Sequence, residues 1–225
     1  MSNQAPIPLA YNPDLLSIMP QAAGRVLEFG CNDGALGKAY KDKFPDAFYI
    51  SIEINPEAAE KASQHVDKMV TGDCEQVSVI EQALDGQPVD CIVYGDVLEH
   101  LHDPWAALKL HSSYLTNNGV VAACIPNIQH WTIINNLFHG YWEYQDSGIL
   151  DRTHLRFFTH RSIRALFEGA GLSVDFIRGR RPGKDQFPQF LEAIRPVLPR
   201  LNVDEKVFVE AASIIQFVVR ATRTD

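Results

Sequence analysis

Residues 26–37 read Val-Leu-Glu-Phe-Gly-Cys-Asn-Asp-Gly-Ala-Leu-Gly, a short apolar run that breaks into a loop containing glycines. A helical pattern follows the loop, with Leu36, Tyr40 and Phe44 on one face. A strand, a glycine-containing loop and a helix in this order are typical of a doubly wound α/β fold, in which the loop lies at the carboxyl end of the strand. Bare backbone at that place lets a nucleoside ligand approach closely.

A single acidic residue, Glu53, ends the next apolar run, residues 48–52. The number of residues between Gly30 and Glu53 is close to the sequence separation that nucleotide-binding folds have between the glycine loop and the carboxylate that binds the ribose hydroxyls. A carboxylate there can accept two hydrogen bonds from a ribose diol, although a strand-end carboxylate can also simply face water. The loop and Glu53 together predict a cofactor that contains adenosine.

The glycine spacing distinguishes between such cofactors. A nicotinamide-binding loop needs G-x-G-x-x-G, because its second glycine lets the backbone approach a pyrophosphate. Here Asn32 stands at that second position, between Gly30 and Gly34. Glu28 and Asp33 would also repel a pyrophosphate, and they suit an ammonium group and a sulfonium centre instead. The pattern therefore disfavours a nicotinamide oxidoreductase.

With this loop, the sequence resembles the class I S-adenosylmethionine-dependent methyltransferases, whose first motif reads acidic-x-Gly-x-Gly-x-Gly. Asn32 in place of the middle glycine is a departure from that motif. The resemblance covers residues 24–180 and implies S-adenosylmethionine as the cofactor and S-adenosylhomocysteine as its product. It also implies a Rossmann-like sheet of seven strands, mostly parallel with the last strand antiparallel, and helices on both faces.

Strand-like and helix-like segments alternate along most of the chain, which by itself supports only a doubly wound α/β fold. Asn117-Asn118-Gly119 predicts the turn into the fifth strand, and Thr159 caps a helix that Gly171 ends. The predicted strands cover residues 25–30, 48–53, 67–71, 89–94, 120–125, 172–177 and 213–222. The predicted helices cover 35–44, 56–65, 75–84, 104–115 and 160–170, and residues 182–204 form an irregular or short-helical connection.

The composition favours one domain spanning residues 1–225, with residues 1–23 as an N-terminal extension. A formal net charge of −8 argues against nucleic acid or an anionic membrane as a partner. The sequence has no segment resembling a signal peptide and no run of transmembrane length, and its four cysteines show no C-x-x-C spacing. We therefore expect a cytoplasmic protein with reduced cysteines.

The resemblance implies roles for the residues that directly follow the third and fourth strands in the sequence. Asp73 would accept the adenine amino group beside the backbone of Cys74, although Asp73 could also cap the following helix. Gly95 would let the methionine part of the cofactor approach the backbone, and Asp96 would face its ammonium group or the substrate. The expected cofactor-binding residues are Glu28, Gly30, Cys31, Asn32, Gly34, Glu53, Ile54, Asp73, Cys74, Gly95 and Asp96.

Glu99 and His100 follow directly and invite an acid–base or metal interpretation, since relatives in ubiquinone biosynthesis carry a similar acidic-x-x-Glu-His run. The alternative is the first turn of a helix, with Glu99 stabilised by the helix dipole and His100 packed at the surface. Because no second pair of ligands is identifiable in the sequence, we predict no metal site.

Residues 125–131 and 148–159 carry the strongest resemblance in the second half, to the MetW-like and glycan-associated methyltransferases of bacteria. In such folds the insertion after the fifth strand, residues 126–158, lies over the active site. This insertion is rich in aromatic residues, and a compact aromatic cover would exclude water from a sulfonium.

A methyltransferase acting on a protonated nucleophile benefits from a general base. His154, near the end of the insertion, is the first candidate and His130 the second, with Asp96 as a further catalytic candidate. His154 could instead anchor the loop through a hydrogen bond, and His130 could pack beside Trp131.

Several basic residues could recognise a carboxylate or phosphate on the acceptor, as in a nucleotide sugar. The alternative is a solvated rim, or ion pairs with Asp151 and Asp175. These basic residues are Arg152, Arg156, Arg178, Arg180, Arg181 and Lys184.

The sequence thus predicts a methyltransferase that acts on a small-molecule acceptor, such as a sugar or a secondary metabolite. The alternative is a non-catalytic, S-adenosylmethionine-binding partner protein of the MetW type. A closed aromatic cover with His154 would favour catalysis, whereas a large exposed apolar patch would favour the partner protein.

Overall fold

The computed structural model describes residues 10–181 and 187–223. In these residues seven strands form one sheet in the order β3-β2-β1-β4-β5-β7-β6. The strands are β1 (Arg25–Phe29), β2 (Phe48–Glu53), β3 (Lys68–Thr71), β4 (Val89–Gly95), β5 (Leu115–Pro126), β6 (Leu172–Arg180) and β7 (Gln216–Arg223). The α-helices are α1 (Pro13–Ile18), α2 (Ala35–Lys43), α3 (Pro56–Ala62), α4 (Val77–Leu84), α5 (Pro104–Ser112), α6 (Trp131–Phe138), α7 (His160–Gly169), α8 (Phe187–Ile194) and α9 (Glu205–Ala212).

Strands β1 to β5 are parallel, and β7 pairs antiparallel with both β5 and β6. The predicted mostly parallel, seven-stranded sheet with a reversed last strand is therefore confirmed. The inner strands β1 and β4 are almost entirely buried, as expected when helices cover both faces of a parallel sheet. The five parallel strands, β1 to β5, end at the same edge of the sheet, and this edge carries the loops predicted to bind a ligand.

Side-chain caps explain most of the helix starts. Asn55 and Asp103 are N-cap residues whose side chains accept backbone N–H groups of the first helical turn, and each is followed by a proline. Thr159 forms a capping box with Ser162. These three starts agree with the prediction.

Helix α4 begins at Val77, two residues later than predicted, because its N-cap position is Gln76. The helix-capping alternative for Asp73 is therefore wrong. Its Oδ1 instead accepts the backbone N–H of Glu75 at 2.9 Å, which closes a turn ahead of the helix.

The predicted turn at residues 117–119 exists, but it lies within a strand. Strand β5 already pairs with β4 at Leu115, and the register then jumps so that Val120 lies opposite Cys91. Asn118 has a φ of +63°, which asparagine tolerates better than most residues. The turn signal therefore marks a β-bulge.

Helices α1, α6 and α9 are absent from the prediction. Helix α1 packs apolar side chains, including Leu15 and Ile18, on one face of the sheet. Helices α6, α8 and α9 share a separate apolar cluster built around Phe190, Leu198 and Phe208. The part of the prediction that covers residues 182–186 lies outside the described residues. Among the helices that the structure describes, none is both long enough and apolar enough to cross a bilayer.

Candidate active site

The carboxyl ends of the first four strands surround a cavity of about 320 Å³, here called the strand-end cleft. It lies beside the boundary between β1 and β4, where the strand order changes direction and where open α/β sheets bind their ligands. Six of the predicted cofactor-binding residues line it: Gly30, Glu53, Ile54, Asp73, Cys74 and Asp96. Its other lining residues are Ile52, Gly72, Glu75, Val97, His100, Leu101 and His102.

The first loop crosses this cleft in a conformation that glycine favours. Gly30 has a φ of +64°, and a Cβ on it would lie 2.6 Å from Val97 Cγ2, so any larger residue would clash. Asn32 also has a positive φ, +49°, a conformation that asparagine adopts more readily than most residues. The departure from the methyltransferase motif at Asn32 therefore leaves the loop geometry intact.

Glu53 ties the first loop to the second. Its Oε2 accepts the backbone N–H of Asn32 and its Oε1 that of Asn55, both at 2.9 Å. The carboxylate is nearly buried, with 7% of the residue exposed, and each oxygen keeps a further lone pair for a ligand at the cleft. The sequence predicted the carboxylate but not its two backbone donors.

Glu28 lies away from the cleft lining and is only 3% exposed. The Tyr49 hydroxyl donates to its Oε2 at 3.1 Å. Burial raises the pKa of Glu28 to about 8, and the Tyr49 hydrogen bond opposes this shift only in part. The side chain is therefore mostly protonated at neutral pH. Cys31, Asn32, Gly34 and Gly95 of the predicted set also lie outside the lining.

A hydrogen-bonded frame holds the far wall of the cleft. His111 Nε2 donates to the carbonyl oxygen of Cys74 at 2.9 Å, so its Nδ1 accepts from the Tyr94 hydroxyl at 2.7 Å. Burial lowers the pKa of His111 to about 4, which keeps the ring neutral. Across the opening, the Glu75 carboxylate accepts from His102 and from the backbone N–H of Asp103. This frame was not predicted, because its members lie far apart in the sequence.

Asp96 has a φ of +58° and lies at the junction of two cavities. Gln216 donates to its Oδ1 at 2.6 Å and accepts from Arg180, which in turn pairs with Asp14 at 2.7 Å. Desolvation by the surrounding protein atoms raises the pKa of Asp96, and the positive charge of Arg180 opposes that shift. The chain of contacts fixes the orientation of the Asp96 carboxylate and links it to α1.

The second cavity, here called the adjoining pocket, has a volume of about 370 Å³. It shares Asp96 and His100 with the strand-end cleft, so the two cavities meet at these residues. Its other lining residues are Glu99, Pro126, Gly148, Ile149, Asp151, His154, Ile215 and Gln216.

His154 lies in the adjoining pocket, as a base for a bound acceptor would have to. Its Nδ1 donates to the carbonyl oxygen of Ile149 at 3.0 Å, which leaves Nε2 as the ring atom able to take a proton. That Nε2 lies 4.0 Å from Glu99 Oε1. The anchoring bond predicted as the alternative role is therefore present, and it uses only Nδ1.

Glu99 and His100 form a short 3₁₀ turn (Leu98–His100) rather than the first turn of a long helix. Burial raises the pKa of Glu99 well above its ordinary value, and the nearby charge of Asp96 adds to the shift. Burial and the neighbouring His154 lower the pKa of His100. The His100 and His154 rings meet edge to face at 4.7 Å between centroids.

His130, the second candidate base, lines neither cavity. It is buried, its ring lies 5.9 Å from that of Trp131, and its Nδ1 lies 2.8 Å from the Thr132 hydroxyl. This position corresponds to the packing role given as its alternative.

The insertion contributes to the site differently from the expectation. Its residues 148–154 form a wall of the adjoining pocket, but most of its aromatic side chains face solvent. A closed aromatic cover is therefore the wrong description of this structure. The large exposed apolar side chains of the insertion are Leu137, Phe138, Tyr141, Trp142, Tyr144 and Leu155, with exposed fractions from 40% to 70%.

The basic residues do not converge on one anion. Arg152 pairs with Asp146 at 2.6 Å, and Asp175 pairs with Arg220. The alternative of ion pairs with Asp151 and Asp175 therefore does not hold for the five arginines of the set. Arg156 donates to the carbonyl oxygen of His102, and Arg180 belongs to the Asp96 network described above. Arg178 and Arg181 line a separate cavity behind β7, and Lys184 lies outside the described residues.

Comparison with known proteins agrees with this geometry. Residues 8–175 match a family model described as "Methyltransferase domain". No curated protein matches the chain.

Solved structures share the fold at low sequence identity. An S-adenosylmethionine-dependent methyltransferase from Archaeoglobus fulgidus is 17% identical, with a TM-score of 0.61 over 94% of this chain and 90% of that one. The N-methyltransferase NodS from Bradyrhizobium japonicum, in complex with S-adenosylhomocysteine, is 15% identical, with a TM-score of 0.60 over 95% and 85%. A Haloferax volcanii methyltransferase complex with the activator Trm112 gives 14% identity and a TM-score of 0.64 over 95% and 88%. The chain belongs to the methyltransferase domain family and has the class I, S-adenosylmethionine-dependent methyltransferase fold.

Proposed function

We propose that this protein transfers the methyl group of S-adenosylmethionine to a small-molecule acceptor, such as a sugar or a secondary metabolite. The observation that carries the proposal is the pair of cavities that meet at Asp96 and His100. One cavity has the position and lining expected for the cofactor, and the other is next to it. Methyl transfer needs this arrangement, because the acceptor must lie in line with the methyl carbon and the sulfur.

In the proposed complex, the Glu53 carboxylate accepts hydrogen bonds from the ribose hydroxyls. Asp73 and the backbone of Cys74 contact the adenine, and the glycine loop at Gly30 lies against the ligand. Asp96 faces the methionine ammonium group. Gly30, Glu53, Asp73, Cys74 and Asp96 all line the strand-end cleft. Their strands lie in the order β3-β2-β1-β4, which supports a pose with the adenine near β3, the ribose near β2 and the methionine part near β1 and β4.

The acceptor would occupy the adjoining pocket. S-adenosylmethionine supplies an electrophilic methyl group when bound. His154 Nε2 takes the proton of the acceptor. The acceptor atom then bonds to the methyl carbon as the carbon–sulfur bond breaks. The Nδ1–H bond of His154 to Ile149 holds the ring in the tautomer needed for this role.

The first test is ligand binding by isothermal titration calorimetry. S-adenosylhomocysteine is expected to bind at least as well as S-adenosylmethionine, and NAD is expected not to bind, because Asn32 replaces the second glycine that would let the backbone approach a pyrophosphate. Measurable NAD binding without a response to either sulfur compound would contradict the proposed cofactor.

Glu53→Ala is expected to weaken S-adenosylhomocysteine binding by roughly 1–3 kcal/mol, or about 5- to 150-fold in Kd. The fold should persist, because the two backbone donors that lose their partner belong to Asn32 and Asn55, exposed residues at which water can replace the carboxylate. The control is Glu57→Ala, which changes an exposed carboxylate four residues away. Equal affinities for the two variants would exclude the ribose role.

Catalysis itself can be tested by S-adenosylhomocysteine release. The protein is incubated with S-adenosylmethionine and a panel of hydroxylated small molecules, including sugars and phenols. An acceptor-dependent rate that Glu53→Ala reduces would support the proposal. The absence of turnover across amine, thiol and hydroxyl acceptors would favour the second candidate function.

That second candidate is a cofactor-binding protein that acts through a partner. The specific observation in its favour is the exposed apolar surface of the insertion, which includes Phe138, Tyr141 and Trp142. The Haloferax volcanii methyltransferase similar to this chain was solved with an activator protein. Tight S-adenosylhomocysteine binding without turnover, together with partner binding that Phe138→Ser abolishes, would select this function.

A further inference from the structure

Three potential metal ligands converge at the wall of the adjoining pocket. They are Glu99 and His100 from the turn after β4 and His154 from the end of the insertion. One ligand atom from each residue lies within 4.8 Å of the other two, and His154 Nε2 is 4.0 Å from Glu99 Oε1. The sequence prediction of no metal site rested on the absence of a second pair of ligands, and the fold adds one further ligand, His154, to Glu99 and His100.

The Glu99 carboxylate lacks a hydrogen-bond partner among residues 10–181 and 187–223. The residue is 1% exposed, and within this part of the chain neither Oε1 nor Oε2 accepts or donates a hydrogen bond. Its backbone carbonyl is satisfied by the N–H groups of Leu155 and Arg156, so only the side chain is left unpartnered. An unpartnered buried carboxylate is costly, and a bound cation would remove that cost.

Both histidines present their second nitrogen in the form that a metal requires. His154 Nδ1 lies 3.0 Å from the carbonyl oxygen of Ile149, and His100 Nδ1 lies 3.2 Å from that of Thr153. A carbonyl oxygen only accepts, so each Nδ1 carries a proton and each neutral ring has its lone pair on Nε2. Metal-bound histidines are held by outer hydrogen bonds of this kind. Asp151 in turn fixes Thr153 through two bonds of 2.8 and 2.6 Å.

We propose that Glu99, His100 and His154 bind one divalent transition-metal ion. Two imidazoles and one carboxylate favour Zn²⁺ or a similar first-row ion over Mg²⁺ and Ca²⁺, which prefer oxygen ligands. Bonds of about 2.1 Å in a tetrahedral site would draw the ligand atoms to about 3.4 Å from each other, a shift of roughly an ångström that side-chain rotations can supply.

The fourth position of such an ion would open toward the adjoining pocket, which all three ligands line. An acceptor hydroxyl that coordinates there would lose its proton to solvent more readily, and its oxygen could then attack the methyl carbon while the carbon–sulfur bond breaks. In the metal-loaded protein His154 would thus activate the acceptor through the ion. Only this catalytic consequence rests on the proposed function, since ion binding does not require it.

The test is calorimetric titration of the chelator-treated full-length protein with ZnCl₂, and with MgCl₂ for comparison. One Zn²⁺ per chain is expected, with a rise in Tm on binding and a much weaker response to Mg²⁺. Glu99→Gln and His154→Asn should each weaken Zn²⁺ binding by more than the roughly 10- to 100-fold that loss of an outer hydrogen bond costs. The control variant is His65→Gln, which changes a histidine just after α3. It should bind Zn²⁺ as the wild type does.

The variants must retain S-adenosylhomocysteine binding and a cooperative unfolding transition, so that a lost fold is not mistaken for a lost site. The absence of Zn²⁺ binding by the wild type, or equal binding by wild type and both variants, would overturn the proposal. The absorption spectrum of the Co²⁺-loaded wild type gives a test without substitution. Bands from nitrogen and oxygen ligands alone would support the site, whereas thiolate-to-cobalt charge transfer would assign the ion to cysteines instead.

Discussion

Replacing Glu28 by glutamine is expected to make the folding stability fall less between about pH 5 and about pH 8 than it falls in the wild type. The fold raises the pKa of Glu28 from 4.5 to about 8 through burial. Because the folded protein holds this proton more tightly than the unfolded chain, its stabilising effect is complete below the unfolded pKa. The effect is lost as the pH rises through about 8, and the difference between the two pKa values corresponds to a free energy on the order of 5 kcal/mol.

Glutamine suits this test because its amide is neutral at every pH and its oxygen can still accept from Tyr49. Urea denaturation at a series of pH values measures the free energy of unfolding, and unchanged m values would show that the unfolded state is comparable. Glu60→Gln, at an exposed carboxylate of α3, controls for the loss of one negative charge. Parallel stability curves for wild type and Glu28→Gln would mean that Glu28 is ionised in the fold.

Local signals were enough to predict the parallel half of the sheet. Each strand there is a short apolar run closed by glycine, proline or a capping residue, and β2 has the predicted bounds. The pair Asn12-Pro13 starts α1 with the same cap and proline as Asn55-Pro56 starts α3. The sequence pattern does not predict this helix, because α1 has only six residues, too few to show an amphipathic period.

The cleft could be predicted because its residues follow strand ends, and parallel strand ends meet by construction. The adjoining pocket could not be predicted in the same way. His154 meets Glu99 only because residues 148–154 fold back over the turn after β4, with Leu155 donating to the Glu99 carbonyl oxygen. Gln216 reaches Asp96 only through the reversal of β7. Such contacts depend on tertiary structure, and no local spacing records them.

His154→Gln is expected to lower turnover by roughly 10²- to 10⁴-fold in chelator-treated protein, with little change in S-adenosylhomocysteine affinity. The reason is that Nε2 lies in the adjoining pocket, while Nδ1 is committed to Ile149. The measurement is kcat and KM with the first acceptor that supports product release, alongside calorimetry. The chelator removes any bound ion, so only the proton-accepting role is tested. The loss should shrink at alkaline pH if the acceptor can ionise by itself.

A second variant separates the base from the loop anchor. In His154→Asn the asparagine amide nitrogen can donate to the Ile149 carbonyl oxygen as Nδ1 does in the wild type. Asparagine has no atom that can accept a proton at the position of Nε2. If His154 acts as a base, asparagine and glutamine should lower kcat to a similar extent. If His154 only anchors the loop, asparagine should retain kcat, and glutamine should mainly raise KM. A third comparison adds Zn²⁺ back to the chelator-treated proteins. If Zn²⁺ raises the rate of the wild type but not the rates of His154→Asn, His154→Gln and Glu99→Gln, acceptor activation is assigned to the ion.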